Sequence, residues 1–208
     1  MERISVSDPA AVAHAAAVLA SGGVILYPTD TLYGLGADAL SDTALAKVHK
    51  IKGSGERKPV HAIVADIAMA AEYGEVNTIA KVLAERFLPG PLTLILKKRA
   101  GIDSGIARYI GTFGIRIPKN DFCLELSRSF GKPFTTTSAN KSSMMPGRTI
   151  NEILAQLGDG TLLLDLIIDA GELPVSAPST VVDVSSGSLI FLREGAIPRG
   201  DIDKVVLL

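Results

Sequence analysis

Val24-Ile25-Leu26-Tyr27-Pro28-Thr29-Asp30-Thr31-Leu32-Tyr33-Gly34-Leu35-Gly36 passes from an apolar run into a segment crowded with hydroxyls, a carboxylate and two glycines. The apolar run is short, lies between Gly22-Gly23 and Pro28, and predicts a buried strand over 24–27. A polar loop over 28–35 is expected to follow. A rigid strand that empties into hydroxyls is the arrangement in which α/β folds place ligand sites.

Upstream, Asp8-Pro9 reads as an N-cap and a first-turn proline, opening an Ala-rich helix that Gly22-Gly23 stops. Downstream, Ser41 caps a helix to Lys50 with Gly53 behind it. A strand over 60–64, helices over 66–73 and 78–87, and a strand over 92–96 after Pro89-Gly90-Pro91 come next. Then follow a strand over 114–117, a helix over 121–130, and a strand over 133–137 that runs into Ser138-Ala139-Asn140. Thr149 and Glu152 have capping-box spacing, which predicts a helix over 150–157. The last third reads as strands over 163–169, 180–184, 189–193 and 204–207, with little helix. Strands joined by short turns pair antiparallel, so the expected architecture is α/β of the α+β type, with a twisted mixed sheet and surrounding helices.

Length and composition agree with one domain over 1–208: 47% of the 208 residues are hydrophobic, enough for a core without disulfides or metals. Mean hydropathy is positive, yet every apolar run is broken well short of the roughly 20 residues of a spanning helix. The first residues lack the pattern of a secretory signal. Cys123 has no partner for an internal disulfide and lies between Phe122 and Leu124, which points to burial in a reducing, cytoplasmic setting. With 21 basic and 22 acidic residues, the chain has no global footprint for gripping a nucleic-acid backbone.

The strand ends carry the chemistry: Thr29 to Gly36, Ile51-Lys52-Gly53, Gly111-Thr112 with Arg116, Thr135 to Asn140, and Pro178-Ser179-Thr180. Hydroxyls and backbone amides suit phosphate oxygens, and Lys or Arg stabilises charge that develops at phosphorus. Each also has a structural explanation. The threonines suit strands, Lys52 offsets a helix dipole, and Arg116 in an apolar strand must meet some anion. Gly34-Leu35-Gly36-Ala37-Asp38-Ala39 has the letters of a dinucleotide fingerprint, but the strand-to-helix turn is missing. The stretch from Gly53 to Lys58 lacks the spacing of a P-loop. His14, His49 and His61 are scattered, with no metal-ligand spacing, and no Gly-x-Ser-x-Gly elbow is present.

Taken in order, these blocks resemble the YrdC-like threonylcarbamoyl-AMP synthase family, from Val24 to Ile197. Tyr27 to Leu35 is similar to its Y-P-T-[DE]-T-x-Y-G-L signature, and Ile51-Lys52-Gly53, Pro89 to Thr93, Ile115 to Pro118, Ser138-Ala139-Asn140, Pro178 to Asp183 and Leu192 to Ile197 resemble its other landmarks. The resemblance implies a YrdC-like fold with a concave, positively charged central cavity, in a single-domain form. It implies that Thr31, Arg116 and Ser179 hold L-threonine, with Arg116 on its carboxylate. Lys52, Lys58, Thr112, Thr136, Ser138, Asn140 and Arg193 would bind nucleotide, with Lys52 and Arg193 as the catalytic cations. Two departures stand out: Ser54 replaces a second basic residue, unless Arg57 reaches back, and Ile63 occupies a position where the family often has His. His61, two residues earlier, keeps the same strand face.

The implied reaction makes L-threonylcarbamoyladenylate from L-threonine, bicarbonate and ATP with release of pyrophosphate, a nucleotidyltransferase step toward tRNA N6-threonylcarbamoyladenosine at position 37. Mg²⁺ would be held mainly by substrate phosphates, and further tRNA-modification partner proteins would complete the transfer. Two rivals carry over with the resemblance: a double-stranded RNA or tRNA-binding module, which balanced charge disfavours, and a carbamoyl-adenylating relative, which normally brings zinc-binding cysteines and further domains.

Overall fold

The computed structural model describes residues 1–53 and 60–206 and folds them into two mixed sheets with helices packed around them. In the first sheet β2 (Ile25–Pro28) pairs antiparallel with β3 (Tyr33–Gly36), and parallel strands β9 (Leu166–Asp169) and β1 (Glu2–Ser5) complete the order β1-β9-β2-β3. Half of the segment expected as a polar loop over 28–35 is therefore strand, and 29–32 form the turn. The glycines explain the difference. A Cβ on Gly34 would stand 3.1 Å from the Tyr27 ring, and one on Gly36 would stand 2.8 Å from Ile25. Backbone, rather than an apolar side chain, makes those contacts, so the strand is invisible to a hydropathy pattern. Both glycines lie within β3, which also disposes of the dinucleotide fingerprint.

The second sheet runs β11 (Ile190–Arg193), β10 (Thr180–Asp183), β6 (Leu92–Lys98), β7 (Thr112–Arg116), β4 (His61–Ile63) and β8 (Phe134–Thr136), with β5 (Gly74–Glu75) beside β6. β6–β7, β4–β8 and β10–β11 are antiparallel, while β4–β7 and β6–β10 are parallel. The expected mixed sheet is thus two sheets, joined where β3 meets the end of β8. Leu35 N–H donates to Thr137 O at 2.9 Å and Ala139 N–H to Tyr33 O at 2.8 Å. This seam places the first polar block beside Ser138-Ala139-Asn140.

Side-chain hydroxyl, carboxylate or amide groups open five of the described helices, at Ser41 and Thr149 as the sequence predicts. Ser41 caps α2 (Asp42–Lys52), Asp66 caps α3 (Ile67–Tyr73), Asn77 caps α4 (Thr78–Phe87), and Asn120 caps α5 (Asp121–Phe130). Thr149 and Glu152 form the expected capping box of α6 (Ile150–Leu157). Two expectations need correction. The first helix, α1 (Ala11–Ala20), starts later than Asp8-Pro9, because the Asp8 carboxylate and carbonyl accept Ala10 N–H and Ala11 N–H in a turn before it. Of the strand expected over 204–207, residues 204–206 are instead part of helix α7 (Arg199–Val206), and Leu207 lies outside the described residues. Ile202, Val205 and Val206 have i, i+3, i+4 spacing, and all three pack on the core.

Period-two alternation divides the second sheet into faces. Ala62, Leu94, Leu96, Phe113 and Ile115 turn one way into a core closed by α3, α4 and α7. His61, Thr93, Gly114, Arg116 and Thr136 take the other face. A separate core under α1 and α5 holds Tyr27, Ile63, Phe134 and Cys123. Cys123 is fully buried as expected, and burial pushes its thiol far up from the usual range.

Candidate active site

The polar face of the second sheet, the β2–β3 turn and two irregular segments enclose a cavity of about 500 Å³. Each wall is set by local structure. In the β2–β3 turn, Thr29 Oγ1 accepts the N–H groups of Thr31 and Leu32 at 3.1 Å and donates to Leu32 O at 2.7 Å. Thr29 therefore builds the turn, and Thr31 is presented from it.

Arg116 is the centre of charge. Its Nη2 donates to Asp30 Oδ1 at 2.6 Å and to Thr31 Oγ1 at 2.9 Å, and only 6% of the Arg116 side chain and 11% of the Asp30 side chain are exposed. Asp30 Oδ2 also accepts Lys119 N–H at 3.1 Å. The anion that Arg116 needed is thus supplied by the chain itself, which sequence spacing did not reveal across 86 positions. Arg116 Nε is buried and has no hydrogen-bond partner among the described residues. A buried unpaired guanidinium N–H is costly, and a second anion entering the cavity would satisfy it.

Next to it, Thr93 Oγ1 and Ser179 Oγ lie 2.9 Å apart, both buried. Arg193 spreads over the same residue, with Nε and Nη2 donating to Ser179 O at 3.0 and 2.8 Å and Nη2 to Ser179 Oγ at 3.1 Å. Partial burial, then the charge of Arg116, draws the Arg193 guanidinium below its ordinary pKa. Arg116, Arg148 and Arg193 all line this cavity, and with Asp30 paired to Arg116 and Glu172 to Arg148 the balance of charge makes it a site for anions.

The Ser138-Ala139-Asn140 turn forms a further wall with Thr136 and Thr137. Lys52 Nζ donates to Ser138 O, to Asn140 O at 3.0 Å and to Asn140 Oδ1 at 3.2 Å. Asn140 Oδ1 also receives Ser138 Oγ, and its Nδ2 donates to Lys141 O at 3.0 Å and Met144 O at 2.6 Å. Asn140 is therefore engaged in shaping the loop. Lys52 sits behind the turn and is not among the side chains that line the cavity.

The structure brings Thr31, Arg116, Ser179, Thr136, Ser138, Asn140 and Arg193 around one cavity. Thr112 lies apart at the start of β7, on the face of Gly114 and Arg116 but outside the lining. Lys58, Ser54 and Arg57 lie outside the described residues. Thr135 faces away and serves structure, accepting Ala37 N–H and donating to Leu35 O, both at 2.9 Å. His61 does line the cavity, while Ile63 packs into the core beneath it. Burial first, then the Arg193 and Arg116 charges, holds the His61 imidazole down at a pKa of about 4.

Sequence reading passed over three features. Thr93 carried a signal in its place after Pro89-Gly90-Pro91, yet only the fold sets it against Ser179. Arg148 ties two rim segments together, through Nε to Leu173 O at 2.8 Å and Nη2 to Glu172 at 2.8 Å. Met144, Met145 and Val175 form an exposed apolar lip at the mouth. Among the described residues, no group of three His, Cys, Asp or Glu side chains could hold a metal ion, and no helix is long and apolar enough to cross a membrane.

Residues 17–195 match the Sua5_yciO_yrdC family model, described as telomere recombination. A Methanocaldococcus jannaschii protein provisionally named threonylcarbamoyl-AMP synthase is 41% identical over 181 residues, covering 86% of this chain and 82% of its own length. The chain spans a smaller share, 56% and 59%, of the Pyrococcus abyssi and Bacillus subtilis threonylcarbamoyl-AMP synthases. P. abyssi Sua5 complexed with L-threonine superposes with a TM-score of 0.87 at 29% identity, over 98% of this chain and 59% of that one. Escherichia coli YciO does so at 0.79 and 27%, over 93% of both chains.

Proposed function

The chain belongs to the Sua5–YciO–YrdC family, and from that premise we propose that it converts L-threonine, bicarbonate and ATP into L-threonylcarbamoyladenylate and pyrophosphate. The observation that carries this reading is Arg116, a buried guanidinium whose Nη2 meets Asp30 and Thr31 and whose Nε–H, without a partner among the described residues, is left for a second anion. An α-carboxylate satisfies that donor and fixes the amino acid at its invariant end. Thr31, Thr93 and Ser179 lie beside it, and paired hydroxyls of this kind suit a substrate hydroxyl.

The nucleotide lies toward Thr136, Ser138 and Arg193. The amino nitrogen, once carboxylated, presents a carboxylate oxygen that attacks the α-phosphorus, and pyrophosphate leaves. No covalent intermediate on the protein is required. Arg193, anchored on Ser179, stabilises the charge that develops at phosphorus, and Lys52 fixes the turn that carries Ser138 and adds positive charge from behind it. In this scheme Asn140 acts through the loop, Thr112 would reach nucleotide from the cavity's edge, and Lys58 would be a further nucleotide contact. Mg²⁺ would come as part of the ATP complex, held mainly by phosphates and water, and would supply charge neutralisation there.

The product is a mixed anhydride that a further tRNA-modification protein would consume in the cytoplasm, en route to N6-threonylcarbamoyladenosine. Direct binding to tRNA or double-stranded RNA is weak or absent in this reading, since charge is balanced at 21 against 22. The test is pyrophosphate release from ATP with threonine and bicarbonate each omitted in turn. Release must require both; turnover that persists without threonine refutes the proposal, and steeply salt-dependent RNA binding with no adenylate formed would favour an RNA-binding module.

A further inference from the structure

His61 is a titratable side chain of the cavity that the scheme above leaves unused. Its ring lies on the backbone of Gly114, where an added Cβ would come 2.5 Å from Cδ2, so only glycine lets the imidazole lie this close to the sheet. Thr136 is its register partner on β8. Neither ring nitrogen has a hydrogen-bond partner among the described residues, and the ring borders the cavity.

Gly114 and Arg116 are two residues apart on β7, about 7 Å along an extended strand. An amino acid whose carboxylate rests on Arg116 carries its ammonium group one carbon away, within that span of His61. Carboxylation of that nitrogen releases a proton: R–NH₃⁺ + HCO₃⁻ gives R–NH–COO⁻ + H₂O + H⁺. The cavity offers few acceptors. Its Arg side chains are cations, Asp30 is committed to Arg116 and Lys119 N–H, and hydroxyls are weak bases.

We infer that His61 is a catalytic residue that accepts the proton lost by the threonine ammonium as its nitrogen attacks the bicarbonate carbon. The N–C bond forms and the C–OH bond breaks. Of the two protons the nitrogen sheds, one leaves with that hydroxyl as water and the other goes to the imidazole, which returns it to solvent after pyrophosphate departs. The charged groups facing His61 agree with this: Arg116 from β7 and Arg193 from β11, with neutral Thr136 from β8 and Thr93 and Ile95 from β6. The two guanidiniums help keep the ring neutral in the empty cavity. A carboxylate on Arg116 and phosphates near Arg193 cancel those charges, so proton affinity rises once substrates are bound.

This inference rests on the synthase reading, and the test separates the two. Threonine- and bicarbonate-dependent pyrophosphate release is followed from pH 7 to pH 9 for wild type and His61→Gln, an amide that can accept a hydrogen bond but not a proton. His61→Gln is expected to lose about 10²–10⁴-fold in kcat at pH 7 with KM for ATP unchanged. The deficit should shrink about tenfold per pH unit as threonine reaches the enzyme already deprotonated. Gly114→Ala, which keeps the imidazole but displaces it, should show the same pH-dependent recovery. A deficit independent of pH, or none, overturns the role of His61 while the synthase stands. A wild type with no threonine-dependent release overturns the proposed function itself.

Discussion

Replacing Arg116 by Gln and Asp30 by Asn, singly and together, separates what the pair does for the fold from what Arg116 does for substrate. With 6% and 11% of the two side chains exposed, either single change leaves one buried charge uncompensated. Breaking a buried pair in this way costs about 3–5 kcal/mol, which for a chain of this length lowers Tm by roughly 6–20 °C. The double variant removes both charges, retains an amide at each position, and should recover most of that loss. Catalysis should not recover with it. A carboxylate bound by the charge-assisted hydrogen bond of Nε draws about 1.5–3 kcal/mol from it, so the double variant should show a KM for threonine raised about 10–10²-fold. Thermal unfolding and pyrophosphate release against threonine concentration measure the two quantities on the same samples. A double variant as unstable as Arg116→Gln would refute the assignment of the cost to a stranded charge. A double variant with near-normal threonine KM would refute Arg116 as the carboxylate's partner.

Three other outcomes follow from the same geometry. Arg193→Lys keeps the charge but loses the fork on Ser179 O, and should lower kcat about 10–100-fold with little change in Tm; unchanged kcat would remove Arg193 from the transition state. Asn140→Ala strands Lys141 O and Met144 O and removes one acceptor from Lys52, at a cost of about 1–3 kcal/mol by urea denaturation and with KM for ATP raised more than KM for threonine; the opposite order would mean the turn does not serve nucleotide. His61 has a folded-state pKa of about 4, below its unfolded value of 6.5, so the unfolded chain takes up the proton first as pH falls. The stability it contributes is present above pH 6.5 and is lost between 6.5 and 4, by about 2–3 kcal/mol, and His61→Gln should abolish that part of the urea-midpoint decline.

Much of the chemistry was legible before any coordinates, for local reasons. Ser41, Asp66 and Thr149 reach backbone donors three residues on, and the apolar run of β6 needs no distant partner to be recognised. Ser138-Ala139-Asn140 and Pro178-Ser179-Thr180 follow or open apolar runs, and their hydroxyls mark them as site material. The readings that failed did so where the decisive contact was remote or made by backbone. β3 was hidden because its glycines pack as bare backbone on Tyr27 and Ile25. The helix at 199–206 was hidden because Val205-Val206 has strand propensity, and only the buried contact of Ile202 with the core chooses the helical spacing.

The sequence alone determined which side chains are available: hydroxyls, amides and cations at strand ends, alternating apolar runs to hold them, and ordered blocks that resemble one family. Tertiary structure decided what each of those groups faces. The β3–β8 seam brings 33–36 beside 137–140, and the β6–β7–β4 register sets Thr93, Arg116 and His61 on one wall. Asp30 meets Arg116 across 86 positions, leaving Nε without a partner among the described residues. A one-dimensional pattern fixes the face of a strand through its period of two, but partners across a sheet and charges across a cavity depend on chain crossings that no local spacing encodes.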